Sequence, residues 1–123
     1  MKGRKIETID LKLNPILAEG AIHVLALCNI VGCVDLNISS CSFDESIDQA
    51  LLFVLKFSKT LRSLNLSINR LGETLGLKII DVLSFNKKLR TLDVRNTEIP
   101  LKIKTKIDAI ILENREKLNT ISQ

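Results

Sequence analysis

The chain has no tryptophan, no tyrosine and only four phenylalanines. Proteins that grip unpaired nucleic acid stack its bases on aromatic faces, so nucleic acid is an unfavoured partner. With a single histidine, His23, no paired-histidine metal or acid–base arrangement is available. Cysteine is scarce and odd in number. Cys28, Cys33 and Cys41 follow no familiar zinc spacing, which points to reduced, buried thiols in an intracellular protein. Long apolar runs are also missing: the stretch Ala21–Val34 is broken by His23 and Asn29 and is too short for a bilayer. The basic residues at positions 1–5 are followed by no apolar segment, so no secretory signal is read there. Gly72, Gly76 and Lys78 lack the gap, the adjacent Gly-Lys and the following hydroxyl of a phosphate loop. No nucleophile, acid–base pair or cofactor cradle stands out. The expectation is a non-enzyme with no cofactor and no bound metal.

What the chain does have is a 28-residue period. Ile6, Ile9, Leu11, Asn14 and Ile16 are matched by Cys33, Leu36, Ile38, Cys41 and Phe43. The same five columns return as Leu61, Leu64, Leu66, Asn69 and Leu71, then as Leu89, Leu92, Val94, Thr97 and Ile99. Equivalent positions are 27, 28 and 28 residues apart in every column. Such a fixed register is the mark of stacked structural repeats.

Each column has a physical reading. Ile9 and Leu11, or Leu64 and Leu66, alternate with period two, as on a short strand with one buried face. Three residues past the last strand residue stand Asn14, Cys41, Asn69 and Thr97. All four are small and can bond inward to backbone groups that a tight turn leaves unpaired. They are expected to form a polar ladder through an apolar core. Between strands the apolar spacing shifts to that of a helix: Ala18, Ala21, Ile22, Leu25; Ile47, Ala50, Leu51, Val54; Leu75, Ile79, Leu83; and Ile103, Ile107, Ile110, Ile111. The fold predicted is an α/β solenoid of about four strand–turn–helix units, with a parallel sheet on the concave face.

The unit length and the Leu-x-x-Leu-x-Leu-x-x-Asn/Cys-x-Leu core resemble leucine-rich repeat proteins, and within those the ribonuclease-inhibitor-like subclass. Leu92 to Ile99, with the helix ending Leu112-Glu-Asn-Arg-Glu116, is similar to the closing repeat of the leucine-rich subunit of the ciliary dynein regulatory (nexin) complex. The first resemblance implies an interaction scaffold. The second implies a structural component of a ciliary axoneme, in the cytoplasm or its cytoskeleton. A known class of small-GTPase activators shares the repeat subclass, which keeps a GTPase regulator as an alternative.

Residues 6–117 form the repeat domain, with residues 1–5 as a basic tag and 118–123 as a polar tail. No amphipathic cap precedes Ile6, so the first unit should expose a flank unless something covers it. Charge is lopsided. Residues 1–60 carry six basic and seven acidic side chains, whereas residues 61–123 carry twelve and seven. A basic half suits an acidic protein surface, or a phosphate backbone as the alternative. Strand alternation turns Asn65, Asp93 and Arg95 outward, with Arg62 and Arg90 at the starts of neighbouring strands. These five make the candidate partner-binding face, and paired arginines suit bidentate contacts to carboxylates. The reading is a non-catalytic protein–protein interaction module in a larger complex, away from membranes.

Overall fold

A computed structural model describes residues 6–122, with side chains described for residues 6–118. Four three-residue strands alternate with helices: β1 (Thr8–Asp10), α1 (Leu17–Val31), β2 (Asp35–Asn37), α2 (Asp48–Phe57), β3 (Ser63–Asn65), α3 (Gly72–Leu83), β4 (Thr91–Asp93) and α4 (Leu101–Ser122). A single turn of tighter helix, Glu45–Ile47, leads into α2. The strands form one parallel sheet in the order β1-β2-β3-β4. Each helix packs on the next, giving a sheet layer and a helix layer.

The pairing register follows the period of the sequence. Ile9, Leu36, Leu64 and Leu92 stand side by side across the sheet, as do Asp10, Asn37, Asn65 and Asp93. Leu36, Leu64 and Leu92 are buried, and the next column, Ile38, Leu66 and Val94, is buried with them. Helices close the core with Leu25, Leu51, Leu55, Ile79, Leu83 and Ile107. At Gly76 a methyl group would stand 3.0 Å from Ile99 and 3.1 Å from Ile103, so glycine there sets how closely α3 approaches the last unit. The first unit differs. Ile9, Leu11 and Ile16 are half-buried and Ile6 is exposed, since no unit among the described residues packs on their outer side.

Asn69 shows what the ladder does. Its side-chain amide donates to Leu66 O and Ser67 O in its own turn, at 3.0 and 3.1 Å, and to Ile38 O of the preceding unit at 3.0 Å. Its Oδ1 accepts from the backbone N–H of Cys41 at 3.1 Å and of Phe43 at 3.3 Å. One side chain therefore completes two turns in two units. The Cys41 thiol donates to Leu11 O (3.1 Å) and Ser39 O (3.3 Å), and the Thr97 hydroxyl donates to Val94 O (2.6 Å). Asn14 corrects the expectation for the first rung. It is exposed, and its amide reaches only Leu11 O and Lys12 O of its own turn. Its burial would need a unit in front of it.

A second ladder of the same period was not read from the sequence. Ser58, Asn86 and Asn114 lie 28 residues apart, all buried, the first two where a helix returns to a strand and the third within α4. Ser58 Oγ accepts from the N–H of Leu61 at 3.1 Å, and Asn86 Oδ1 from those of Lys88 and Leu89 at 2.9 and 3.0 Å. The Asn86 amide donates back to Leu55 O, and that of Asn114 to Asn86 O and Leu89 O. The helix end is also longer than expected. Helix α4 runs on to Ser122, through residues that had been read as a tail, while residues 1–5 lie outside the described residues.

The residue before each ladder position is left-handed: Leu13, Ser40, Ile68 and Asn96 have φ of 65°, 50°, 57° and 55°. A β-branched side chain is strongly disfavoured there, yet Ile68 is 56% exposed and gains little from burial. Two outcomes are expected in denaturant melts. Asn69→Leu should lose roughly 1–3 kcal/mol or more, because it strands buried carbonyls and N–H groups, with Asn14→Leu losing far less. Ile68→Asn should gain about 1 kcal/mol by relieving the left-handed strain.

Candidate functional site

The exposed face of the sheet is built from one recurring device. The strand-end residue of every unit (Asp10, Asn37, Asn65 or Asp93) accepts from the backbone N–H two residues later. The distances to Lys12, Ser39, Ser67 and Arg95 are 3.2, 3.0, 3.0 and 3.1 Å. This turn ends each strand after three residues. In the two inner units the same oxygen also takes a serine hydroxyl, from Ser39 or Ser67, at 2.7 Å. In the two outer units the device is ionic: Lys12 Nζ lies 3.8 Å from Asp10, and Arg95 forks onto Asp93.

The five residues picked from the sequence therefore divide. Asn65 and Asp93 sit on the sheet face as expected, but both side chains are half-buried and already close turns. Arg95 is outward and exposed, with its Nε 3.0 Å and its Nη2 2.7 Å from the Asp93 carboxylate. Its hydrogen bonds hold the Asp93 carboxyl below the usual carboxylate range, against the opposing effect of partial burial. Asp93 in turn pushes the Arg95 guanidinium up. Arg62 is half-buried, with Nη1 donating to Lys59 O and Leu61 O at 3.2 Å each. Arg90 is exposed, and its N–H donates to Arg62 O at 2.7 Å, so the two arginines begin neighbouring strands. Arg62 and Arg90 thus come together, while Arg95 lies at the far end of β4.

An open depression of about 360 Å³ beside the site lies between β4 and α4 and includes Arg95, Lys104, Asp108 and Arg115. Lys104 and Asp108 there are paired at 2.6 Å. All three cysteines are buried free thiols. Burial, with the neighbouring Cys33 thiol, pushes Cys28 up to about 12, and burial also pushes Cys41 up. Both are poor nucleophiles in that state. Among the described residues no group of His, Cys, Asp and Glu is placed to hold a metal ion. Among them, too, no helix is long and apolar enough to cross a membrane.

Phenylalanine was passed over in the sequence as a helix or core residue. Phe43 is in the core, but Phe53, Phe57 and Phe85 are exposed on the helix layer. The available signal was the 28-residue interval between Phe57 and Phe85, at positions where no buried residue is required.

No protein-family model matches the sequence, and no curated protein matches it. Solved structures do share its fold. The structure titled Leiomodin-1 Actin-Binding Site 2 superposes with a TM-score of 0.81 at 16% identity, over 95% of this chain and 68% of that one. The tropomodulin C-terminal domain of Caenorhabditis elegans superposes with a TM-score of 0.65 at 10% identity, over 95% of this chain and 89% of that one. These identities speak to the fold alone. They correct the resemblances drawn from the sequence: the matching folds are those of leiomodin and tropomodulin, not a ribonuclease-inhibitor-like leucine-rich repeat or the ciliary nexin subunit. The reason is physical. The apolar spacing reports how strand–helix units pack, and packing carries no family-specific residue.

The Asp93–Arg95 fork yields a pH test. A carboxyl with a lowered folded pKa adds stability that is complete above the unfolded value, about pH 4. That contribution fades as the pH falls through the folded value. Arg95→Ala should remove this acid-side dependence and bring the Asp93 carboxyl back toward pH 4 in a carbon-detected NMR titration. An unchanged Asp93 titration in the variant would mean that the fork is not formed in solution.

Proposed function

We propose that the chain is a non-enzymatic protein-binding domain of the cytoskeleton, and that actin is the first partner to test. The carrying observation is the superposition, over 95% of the chain, on a leiomodin-1 domain whose title names it as an actin-binding site. We take the four strand–helix units to form a curved stack with the sheet on the inner side. The sheet face supports the reading: it is polar, and the depression beside it is open.

Within that face the contacts fall to Arg62, Arg90 and Arg95, since Asn65 and Asp93 serve the turns. Arg90 is the freest of the three and would supply a bidentate contact to a carboxylate on the partner. Asn65 and Asp93 contribute by fixing where the strands end, and so by presenting the arginines.

The test is direct. The purified chain is mixed with monomeric actin and, separately, with filaments, and binding is read by fluorescence anisotropy and co-sedimentation. Binding to one form is expected, weakened about tenfold or more by the Arg62→Glu, Arg90→Glu pair if those contacts are desolvated. Failure to bind either form would remove actin. Binding unaffected by the pair would move the contact off the sheet face.

A further inference from the structure

The segments Lys56-Phe-Ser-Lys-Thr-Leu-Arg62 and Ser84-Phe-Asn-Lys-Lys-Leu-Arg90 are the same loop in two successive units. Each carries the chain from a helix, α2 or α3, back to the next strand. Two columns of this loop are dictated by the fold: Ser58 and Asn86 bond the turn from inside, and Leu61 and Leu89 are core. The other columns are not. Phe57 and Phe85 are 54% and 65% exposed, and Lys59 and Lys87 are exposed beside them. Lys56 Nζ lies over both rings, 5.4 Å from the Phe57 centroid and 4.7 Å from that of Phe85. The two loops frame a depression of about 340 Å³ lined by both rings and by Lys56, Lys59, Lys87 and Lys88.

The charge of this edge is of one sign. Between Gln49 and Gly72, and again between Val82 and Leu92, there is no aspartate or glutamate. None of Lys56, Lys59, Lys87 and Lys88 has an ion-pair partner among the described residues. Acid appears at the border, where exposed Asp81 lies four residues before Phe85 and Glu113 feels Lys87 but is bound to Lys117 at 3.0 Å. The outer units do not continue the pattern: the ring positions are Asn29 in the first and Glu113 in the last. The result is a bounded patch of four unpaired cations around two rings.

We propose that this helix-to-strand edge is a second docking surface, separate from the sheet face, and that its occupant is an acidic segment of a partner protein carrying apolar side chains. Charge complementarity selects an acidic occupant. The rings select one with apolar side chains, because exposed aromatic area among cations regains its hydration cost only when covered. The surface is a hollow between two loops with a lysine over its rings. A peptide chain fits such a hollow, whereas a bilayer calls for rings that project as knobs.

The probe is a short fluorescent peptide of Glu-Glu-Leu repeats, titrated against the whole chain by anisotropy. A Gln-Gln-Leu peptide tests charge, and a Glu-Glu-Ala peptide tests the apolar component. Phosphatidylserine vesicles and single-stranded DNA test the other anions. The Glu-Glu-Leu peptide should bind most tightly, and Lys59→Glu with Lys87→Glu should weaken it about tenfold or more. Phe57→Ser with Phe85→Ser should erase the preference for leucine over alanine. All four positions are exposed, so the fold should persist by circular dichroism, and Lys59→Ala with Lys87→Ala repeats the measurement should the glutamates disturb it. Unchanged peptide binding by both lysine pairs would overturn the proposal. So would binding of vesicles or DNA without the peptide. Because Arg62 and Arg90 end these same loops and Arg62 bonds Lys59 O, Arg95→Glu at the far end of β4, scored against actin, is the variant that separates the two surfaces, so loss of one leaves the other standing.

Discussion

The strand-exit turns of the first two units in this protein are each finished by a side chain from the following unit. A turn that enters the core leaves backbone N–H and C=O groups away from water, and each unmet group costs about 1–3 kcal/mol. Asn69 meets five such demands at once, two of them from Cys41 and Phe43 and one from Ile38 in the unit before it. The units are therefore not modules that merely touch. Removing one leaves its neighbour's turn chemically incomplete, and the spacing between rungs cannot drift without breaking those bonds. The strand register, the helix packing and the position of every surface column follow from that constraint.

The same constraint explains why the ladder changes at its ends. Asn14 has only its own turn to serve and lies in solvent, whereas the chemically identical Asn69 is 5% exposed. Residue type gives the capacity to bond, and the presence of a preceding unit decides whether it is used. The strand-end column behaves similarly: Asn–Ser pairs close it in the inner units, and ion pairs Asp10–Lys12 and Asp93–Arg95 close it in the outer ones.

The apolar columns were legible in the sequence because burial leaves little choice of residue, and the sheet pairs Ile9, Leu36, Leu64 and Leu92 in the register that their spacing implies. The burial of Cys41, Asn69 and Thr97 was legible for the same reason. Family was not, since the spacing reports how strand–helix units pack and names no family. The candidate site was only half legible. An outward Asn65 or Asp93 looks like a contact residue until its hydrogen bond to the following N–H is seen. The left-handed turn could not be foreseen, because Leu13 and Ile68 are residues that avoid that conformation.

What the fold leaves undetermined is where function can be written. On the helix-to-strand loops, Ser58, Asn86, Leu61 and Leu89 answer to the core, and any change there is felt as lost stability. Phe57 touches the Phe53 ring and both Phe57 and Phe85 meet Lys56, but these rings, like Lys59 and Lys87, stay exposed and answer to nothing in the core. Two exposed rings among lysines add apolar surface that only surface contacts with Phe53 and Lys56 cover, so the core supplies no reason for them. The sheet face is the opposite case: its Asn and Asp residues hold the turns, Arg62 and Arg95 are themselves bonded, and Arg90 is the freest of its side chains. A protein of this build thus separates the residues that keep its register from those left free for other contacts. The cleanest separation lies on the edge away from the strand-exit ladder.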